Sequence, residues 1–464
     1  MKSKSLLVLV TVIVMCTLLV TQAGAKRDDL YEEYETLTAV VDKILNNYVN
    51  DVDKEKLFYG AFEGMLGSLD PYSQFLPPPS KEDLEIDTTG EFGGVGIEIT
   101  LDEHKILTVI TPLEGTPAFR AGVRAADKIW KIDGKSTDGM TLLDAVKVLR
   151  GKRGNPVTIT VTHETDPRKP VEITIVRDVI KIKSIVDVRM VDDEGKIGYV
   201  RMTQFQEKTA KELDKAIKTL LADGMRALIL DLRFNPGGLL NSAAEVCDRF
   251  IGEGVIVSTK GRNGVEQEVF RAHNAATYHI PLAVLVSKQS ASASEIVSGA
   301  LQDHKRAVIV GSRTYGKGSV QTIISLDGGK CAMRLTTAYY YTPSGRLIHR
   351  KPDATDEDDW GIYPDVKVEV DPEDYVLLWK SWRDRHIEEN RGPEDPAKDE
   401  TAGGNTGDVE DVKIADDQPV DADGEFVPPE DEAEKERPII DRQLEAARLF
   451  LKGQLFQSRK AAAK

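Results

Sequence analysis

The chain has 464 residues, enough for roughly three domains and several buried cores. Its 77 acidic and 61 basic residues give a formal net charge of −16, which lacks the basic footprint that general nucleic-acid binding needs. Three cysteines are too few for a disulfide scaffold or a four-cysteine zinc site. Seven histidines with no HxxxH or HxH spacing argue against a metal enzyme; the chemistry expected of the chain needs no cofactor or metal.

Lys2 and Lys4 precede an apolar run from Leu6 to Val20, followed by Ala23-Gly24-Ala25. A charged start, an apolar centre and an AxA site predict a signal peptide over 1–25 that directs export, with cleavage after Ala25 expected and an uncleaved anchor the alternative. The run is short of the ~20 residues that span a bilayer. The expected destination is the periplasm or another extracytoplasmic space, with association at the membrane surface left open. Cys247 and Cys331 would remain in the mature chain, and the sequence leaves open whether they pair.

Residues 26–92 read as an N-terminal helical region. Leu30, Leu37, Val40, Val41, Ile44 and Leu45 fall near one face of a helix over 29–50, and a second helix over 53–67 ends at Gly67. From 93 to 178 short alternating strands are expected at 95–100, 107–110, 157–161 and 171–176, with a helix at 140–149. From 179 to 392 apolar strands at 197–200, 227–232, 283–286 and 307–310 alternate with helices at 207–222, 239–251 and 292–304. That pattern predicts a mainly parallel α/β core. Residues 393–437 hold 17 acids, 4 bases and one aromatic, Phe426; this stretch is expected to be a disordered linker. A last helix is expected at 442–455 within the segment 438–464; it carries Leu444, Leu449, Leu451 and Leu455 and, being amphipathic, should dock back on the folded body or a second subunit.

Three loops leave the C-terminal ends of core strands, where sites in parallel sheets form. In Gln289-Ser-Ala-Ser-Ala-Ser-Glu295 a small-residue turn opens a helix, whose first N–H groups and positive dipole suit a nucleophile beside an oxyanion. The same residues equally suit a simple helix cap. In Gly311 to Ser319 the glycines around Lys317 let backbone approach a lysine that burial could turn into a general base; a solvated loop lysine is the plainer reading. In Asp231 to Gly238 the two glycines can present N–H groups to an anion. A histidine base is disfavoured, since His304 lies about 18 Å along the same helix from Ser292, and His273, His279 and His349 have no recognisable setting.

At these residues the chain resembles the carboxyl-terminal processing peptidases, or tail-specific proteases, a family of Ser-Lys serine proteases with a PDZ domain. SASASEI (290–296), YGKGSVQ (315–321) and DLRFNPGG (231–238) carry the likeness. So do Gly93 to Glu98, Leu149 to Gly154, Tyr363-Pro364-Asp365 and Asp441 to Leu444. The resemblance implies an α/β protease core of crotonase-like ββα units over 179–392 and an inserted PDZ domain over 93–178. It implies Ser292 as nucleophile, Lys317 as base, Gln321 orienting the lysine, and oxyanion N–H donors from Ala293 and from Gly237 or Gly238. A straight strand would separate residues 317 and 321 by about 13 Å, so a Lys317–Gln321 contact would need a bend at Gly318. Gly93, Gly94, Val95, Gly96 and Ile97 resemble the loop that holds a peptide's free carboxylate, and Arg150 an arginine through which such a domain reaches the core.

The function expected is an exported, PDZ-regulated serine endopeptidase acting on proteins from their C-terminal region. Its partners would be proteins or peptides with free C-termini, a second copy of the chain joined through the N- and C-terminal helices, and an adaptor or regulator. The alternative is a non-catalytic PDZ peptide-binding protein on an inactive protease core. A hydratase-like enzyme shares only the α/β layout and is disfavoured by the PDZ domain and the leader.

Overall fold

The structure, a computed structural model, describes residues 28–78, 86, 88–102, 104–163, 166–273, 278–389 and 440–462. The expected signal segment 1–25 and the acidic stretch 393–437 lie outside the described residues. Two compact units divide the chain, one of residues up to 77 with 323–335, the other of 78–322 with 336–464.

In the first unit, helix α1 (Asp28–Asn47) and helix α2 (Lys54–Gly67) precede strand β1 (Gln74–Leu76). Asp53 starts α2 by accepting the Lys56 N–H at 3.1 Å. Asp70 Oδ1 accepts the N–H groups of Tyr72 and Ser73, each at 2.8 Å, which makes the turn into β1. The buried Phe75 then packs on the rings of Tyr59 and Phe62, at 5.0 and 5.1 Å.

In the second unit, β2 (Glu91–Gly94) leads into β3 (Ile97–Leu101), β4 (Leu107–Pro112), a short α3 (Pro117–Arg120), β5 (Lys128–Ile132) and β6 (Lys135–Ser136). Helix α4 (Leu142–Leu149), β7 (Pro156–His163), β8 (Asp166–Val176) and β9 (Asp178–Lys181) follow. The sheet runs β3-β4-β5-β7-β8, with β6 on β5, and β3 is an edge strand. Alternate residues Val157, Ile159 and Val161 of β7 meet Ile129 and Ile132 of β5 in its core, as period-two patterning requires. The β2–β9 ladder closes the base of this module.

The core begins with β10 (Ile185–Asp192), β11 (Ile197–Met202), α5 (Thr209–Ala222), β12 (Ala227–Asp231) and α6 (Leu240–Asp248). It continues with β13 (Val255–Lys260), β14 (Glu266–Arg271), β15 (Leu282–Val286), α7 (Ala293–Asp303), β16 (Val308–Gly311), β17 (Ser319–Leu326) and β18 (Cys331–Tyr341). β19 (Val366–Lys367), α8 (Pro372–Glu389) and α9 (Arg442–Ala462) complete the described chain. The main sheet has the order β10-β11-β12-β15-β16-β19. Only its β10–β11 pair is antiparallel, in accord with the mainly parallel core expected.

The continuous apolar strands have a direct cause, for both sheet faces are covered. Leu228 and Leu230 of β12 and Val284 and Val286 of β15 face the core formed with α5, α6 and α7. Ile229 and Leu285, on the other face, meet Ala447, Leu451 and Leu455 of α9. Leu449 of the same helix is 56% exposed and points away. Strands β13, β14, β17 and β18 and helix α8 escape the sequence reading. β14 is Glu-Gln-Glu-Val-Phe-Arg and half exposed, and α8 mixes tryptophans with charges and has only a weak apolar stripe. Cys247 and Cys331 are both buried free thiols, and burial pushes the Cys247 thiol up.

Candidate active site

Strands β12 and β15 run parallel with Leu228 beside Leu282 and Asp231 beside Leu285. The loops leaving their C-terminal ends therefore meet, and hydrogen bonds stitch them together. Ser290 Oγ accepts the Ser287 N–H at 2.8 Å and donates to the Leu232 carbonyl at 2.7 Å. Ser294 Oγ donates to the Asn235 carbonyl at 2.9 Å, which also accepts the Ala291 N–H at 3.1 Å. The Asn235 amide donates to the Met202 carbonyl at 2.8 Å. Two of the three serines in the motif thus spend their hydroxyls on loop architecture.

Ser292 sits between them at the start of α7 with φ 54° and ψ −112°. A non-glycine residue there carries strain of order 1–3 kcal/mol that the surrounding contacts must hold. Gly237 explains how the turn is held so closely. Its φ is 109°, and a Cβ added there would stand 2.8 Å from Ser292 Cβ and 2.9 Å from the Ala293 nitrogen. The Gly237 N–H is donated to Asn235 Oδ1 at 2.9 Å. The N–H groups of Gly238 and Ala293 make no hydrogen bond among the described residues, so these two can serve an anion beside Ser292.

Glu295 draws the third loop in. Its fully buried carboxylate accepts four hydrogen bonds: Oε2 from the Ser292 N–H at 2.9 Å and the Lys317 N–H at 2.8 Å, Oε1 from the Gly316 N–H at 2.7 Å and Thr314 Oγ1 at 2.6 Å. Burial pushes this carboxyl up to about 7 against the pull of those donors. The serine and lysine segments, 25 residues apart in sequence, are thereby joined through one side chain. Sequence reasoning quoted Glu295 but gave it no role; the Ser292-x-x-Glu295 spacing of a helix capping box was the signal available.

Lys317 is partly buried. Left-handed backbone falls on Gly316, φ 88°, and not on Gly318. Gly318 instead serves close packing, since a Cβ there would lie 2.3 Å from the His349 nitrogen. Gln321 donates its amide to Ser319 Oγ at 2.8 Å. The buried phenol of Tyr340, also missed from sequence, faces the Ser292 side chain; burial pushes it up to about 12 against the pull of Ser292.

Among the residues expected to hold a peptide carboxylate, Gly93 and Gly94 are strand residues of β2, opposite Val179 and Asp178. Val95 and Gly96 form the turn, their carbonyls accepting the N–H groups of Ala118 at 2.9 Å and Leu113 at 3.0 Å. Ile97 opens β3. Arg150 ends α4 and stacks 4.9 Å over the Phe92 ring of β2, the strand paired with β9, which leads into the core. Among the described residues no group of three or more His, Cys, Asp or Glu could hold a metal ion.

A strained serine at a helix start, unengaged N–H groups near it and a lysine loop tied to it are the parts that a serine-type peptidase site on a parallel α/β core requires. The family models agree. Peptidase family S41 matches residues 196–368, a PDZ domain 84–162, and the activating protease CtpB N-terminal domain 16–78. A carboxy-terminal-processing protease of Bartonella bacilliformis is 45% identical over 367 residues, covering 77% of this chain and 81% of its own. A carboxyl-terminal-processing protease of Picosynechococcus is 38% identical over 323 residues, 69% of this chain and 75% of its own. Among solved structures, the photosystem II D1 C-terminal processing protease matches at 31% identity with a TM-score of 0.41, covering 72% and 86%. The chain belongs to the carboxy-terminal-processing serine proteases of peptidase family S41, with a PDZ domain, and it acts on proteins or peptides.

Proposed function

We propose that Ser292 and Lys317 form a catalytic dyad, that the PDZ module over 93–178 governs it, and that the enzyme works outside the cytoplasm after export. Ser292 Oγ attacks the scissile carbonyl carbon and passes its proton to Lys317 Nζ. The N–H groups of Gly238 and Ala293 take up the charge that develops on the carbonyl oxygen. The C–N bond breaks as Lys317 returns the proton to the leaving amine, and water then releases the acyl group by the reverse sequence. Gln321 steadies Lys317 from the strand that follows it. The single observation carrying this reading is the Glu295 carboxylate, which holds the Ser292 and Lys317 backbones on one oxygen.

A substrate C-terminus would add as a strand to the open edge of β3, with α4 as the facing wall and the Val95–Gly96 turn receiving the carboxylate. Arg150, stacked on Phe92, would carry the state of that groove toward the core. Exposed Leu30, Tyr31 and Tyr34 of α1 and Phe456 of α9 support pairing of two copies through the terminal helices. Among the described residues no helix is long and apolar enough to cross a membrane.

The test is digestion of an unstructured polypeptide with a free C-terminus by the wild type and by Ser292→Ala. The wild type should cleave and Ser292→Ala should not. A wild type that binds the peptide but never cleaves would instead select the non-catalytic PDZ reading.

A further inference from the structure

The loop that carries Gly238 is gripped on its outer side by chain that lies beyond the acidic stretch. Arg233, two residues beyond the end of β12, has a fully buried side chain. Its Nε lies 3.0 Å from both Asp231 oxygens. Its two terminal nitrogens meet the two oxygens of Asp441 at 2.8 and 2.7 Å, a paired fork 208 residues away in sequence. Gln443 adds an acceptor at 3.3 Å and passes its own amide to the Val368 carbonyl at 2.8 Å. Arg233 also stacks 5.1 Å over Trp382 of α8. The next residue, Phe234, adopts φ 57° and sets its ring edge-on against Tyr375 and Trp382 at 5.4 and 5.5 Å. From there the chain runs directly through Asn235 and Gly237 to Gly238. The strained backbone at Phe234 persists only while its surroundings fix it.

We propose that Asp441 is a positioning residue for peptide-bond hydrolysis: through Arg233 it sets the loop whose Gly238 N–H faces the developing oxyanion. This rests on the reading of the site given above. Asp441 touches no reacting atom. Burial would push its carboxyl up, but Arg233 holds it below the ordinary carboxylate range, so it stays charged at neutral pH and the fork stays closed. The helix beyond the linker therefore completes the active site as well as the core.

Asp441 also starts α9 by accepting the Leu444 N–H at 3.0 Å, and the variants must spare that role. Asparagine and serine both cap helices well but cannot hold the guanidinium fork as a carboxylate does. Turnover of an unstructured polypeptide and the rate at which Ser292 is labelled by a fluorophosphonate should be measured for full-length wild type, Asp441→Asn, Asp441→Ser and Asp441→Glu. The expected result for the first two variants is a fall of tenfold or more in kcat and in labelling rate, with KM within twofold and the chain still folded. Asp441→Glu should recover much of the loss. Wild-type kcat in folded Asp441→Asn would overturn the proposal. So would failure of both capped variants to fold, because the contact would then serve stability alone. A wild type that neither cleaves nor labels would overturn the reading of the site itself.

Discussion

At the scale of single residues, the three serines of the motif divide by what their hydroxyls already do. Ser290 and Ser294 are both fully buried and engaged, so Ser290→Ala and Ser294→Ala should each cost about 1 kcal/mol of stability in chemical denaturation while retaining much of the cleavage. Lys317→Arg should be as inactive as Lys317→Ala in a peptidase assay, because a guanidinium cannot give up a proton; a robustly active arginine variant would remove lysine as the base. Glu295 supplies a pH dependence whose sign is fixed. Its folded-state pKa stands near 7 against 4.5 for the free group, so the folded chain binds this proton more tightly than the unfolded one. Its contribution to stability is fullest below pH 4.5 and is lost as pH rises through 7, by on the order of 3 kcal/mol. Glu295→Gln should flatten that part of the stability–pH curve, and should also lower turnover, since its NH2 group cannot accept two of the four donors. The serine and lysine proposed as the dyad were legible as a family pattern. The supporting residues were not, because the roles of Glu295, Asn235 and Tyr340 depend on which loops meet, and a list of strands says little about that.

At the scale of elements, α9 separates packing from patterning. Leu451 is fully buried against the sheet while Leu449 is largely exposed. Leu451→Ala should therefore cost about 3 kcal/mol, and Leu449→Ala should stay within about 0.5 kcal/mol. Equal losses would mean that the helix docks in another rotation. Strands of the parallel sheet were readable because burial on both faces leaves a continuous apolar run, as in Ala227 to Asp231. The antiparallel ribbons were not. β13 and β14 pair with each other, and β13 also takes Tyr339 to Tyr341 of β18 on its other edge, but a half-exposed strand with no steady alternation resembles a loop until its partner is known.

At the scale of the whole molecule, the described chain after residue 372 supplies α9 as a cover for the main sheet and Asp441 as a partner for Arg233. Residues 393–437 carry a net −13 with one aromatic and offer little apolar surface to bury. Replacing them with a short Gly/Ser linker should leave folding and turnover of an unstructured substrate intact. Removing 438–464 as well should lower the unfolding midpoint and abolish activity. The opposite pattern in the two variants would reverse the roles assigned to these segments. The docking of α9 also has a consequence in time. This helix is made after every other described element, yet Ile229, Leu285 and Val310 need it as a cover and Arg233 needs Asp441 as a counter-charge. A ribosome-bound chain halted before residue 440 therefore keeps one face of its main sheet open and its buried arginine half paired. Such chains should bind a hydrophobic dye and hydrolyse nothing, so that synthesis itself withholds the protease until α9 has been made.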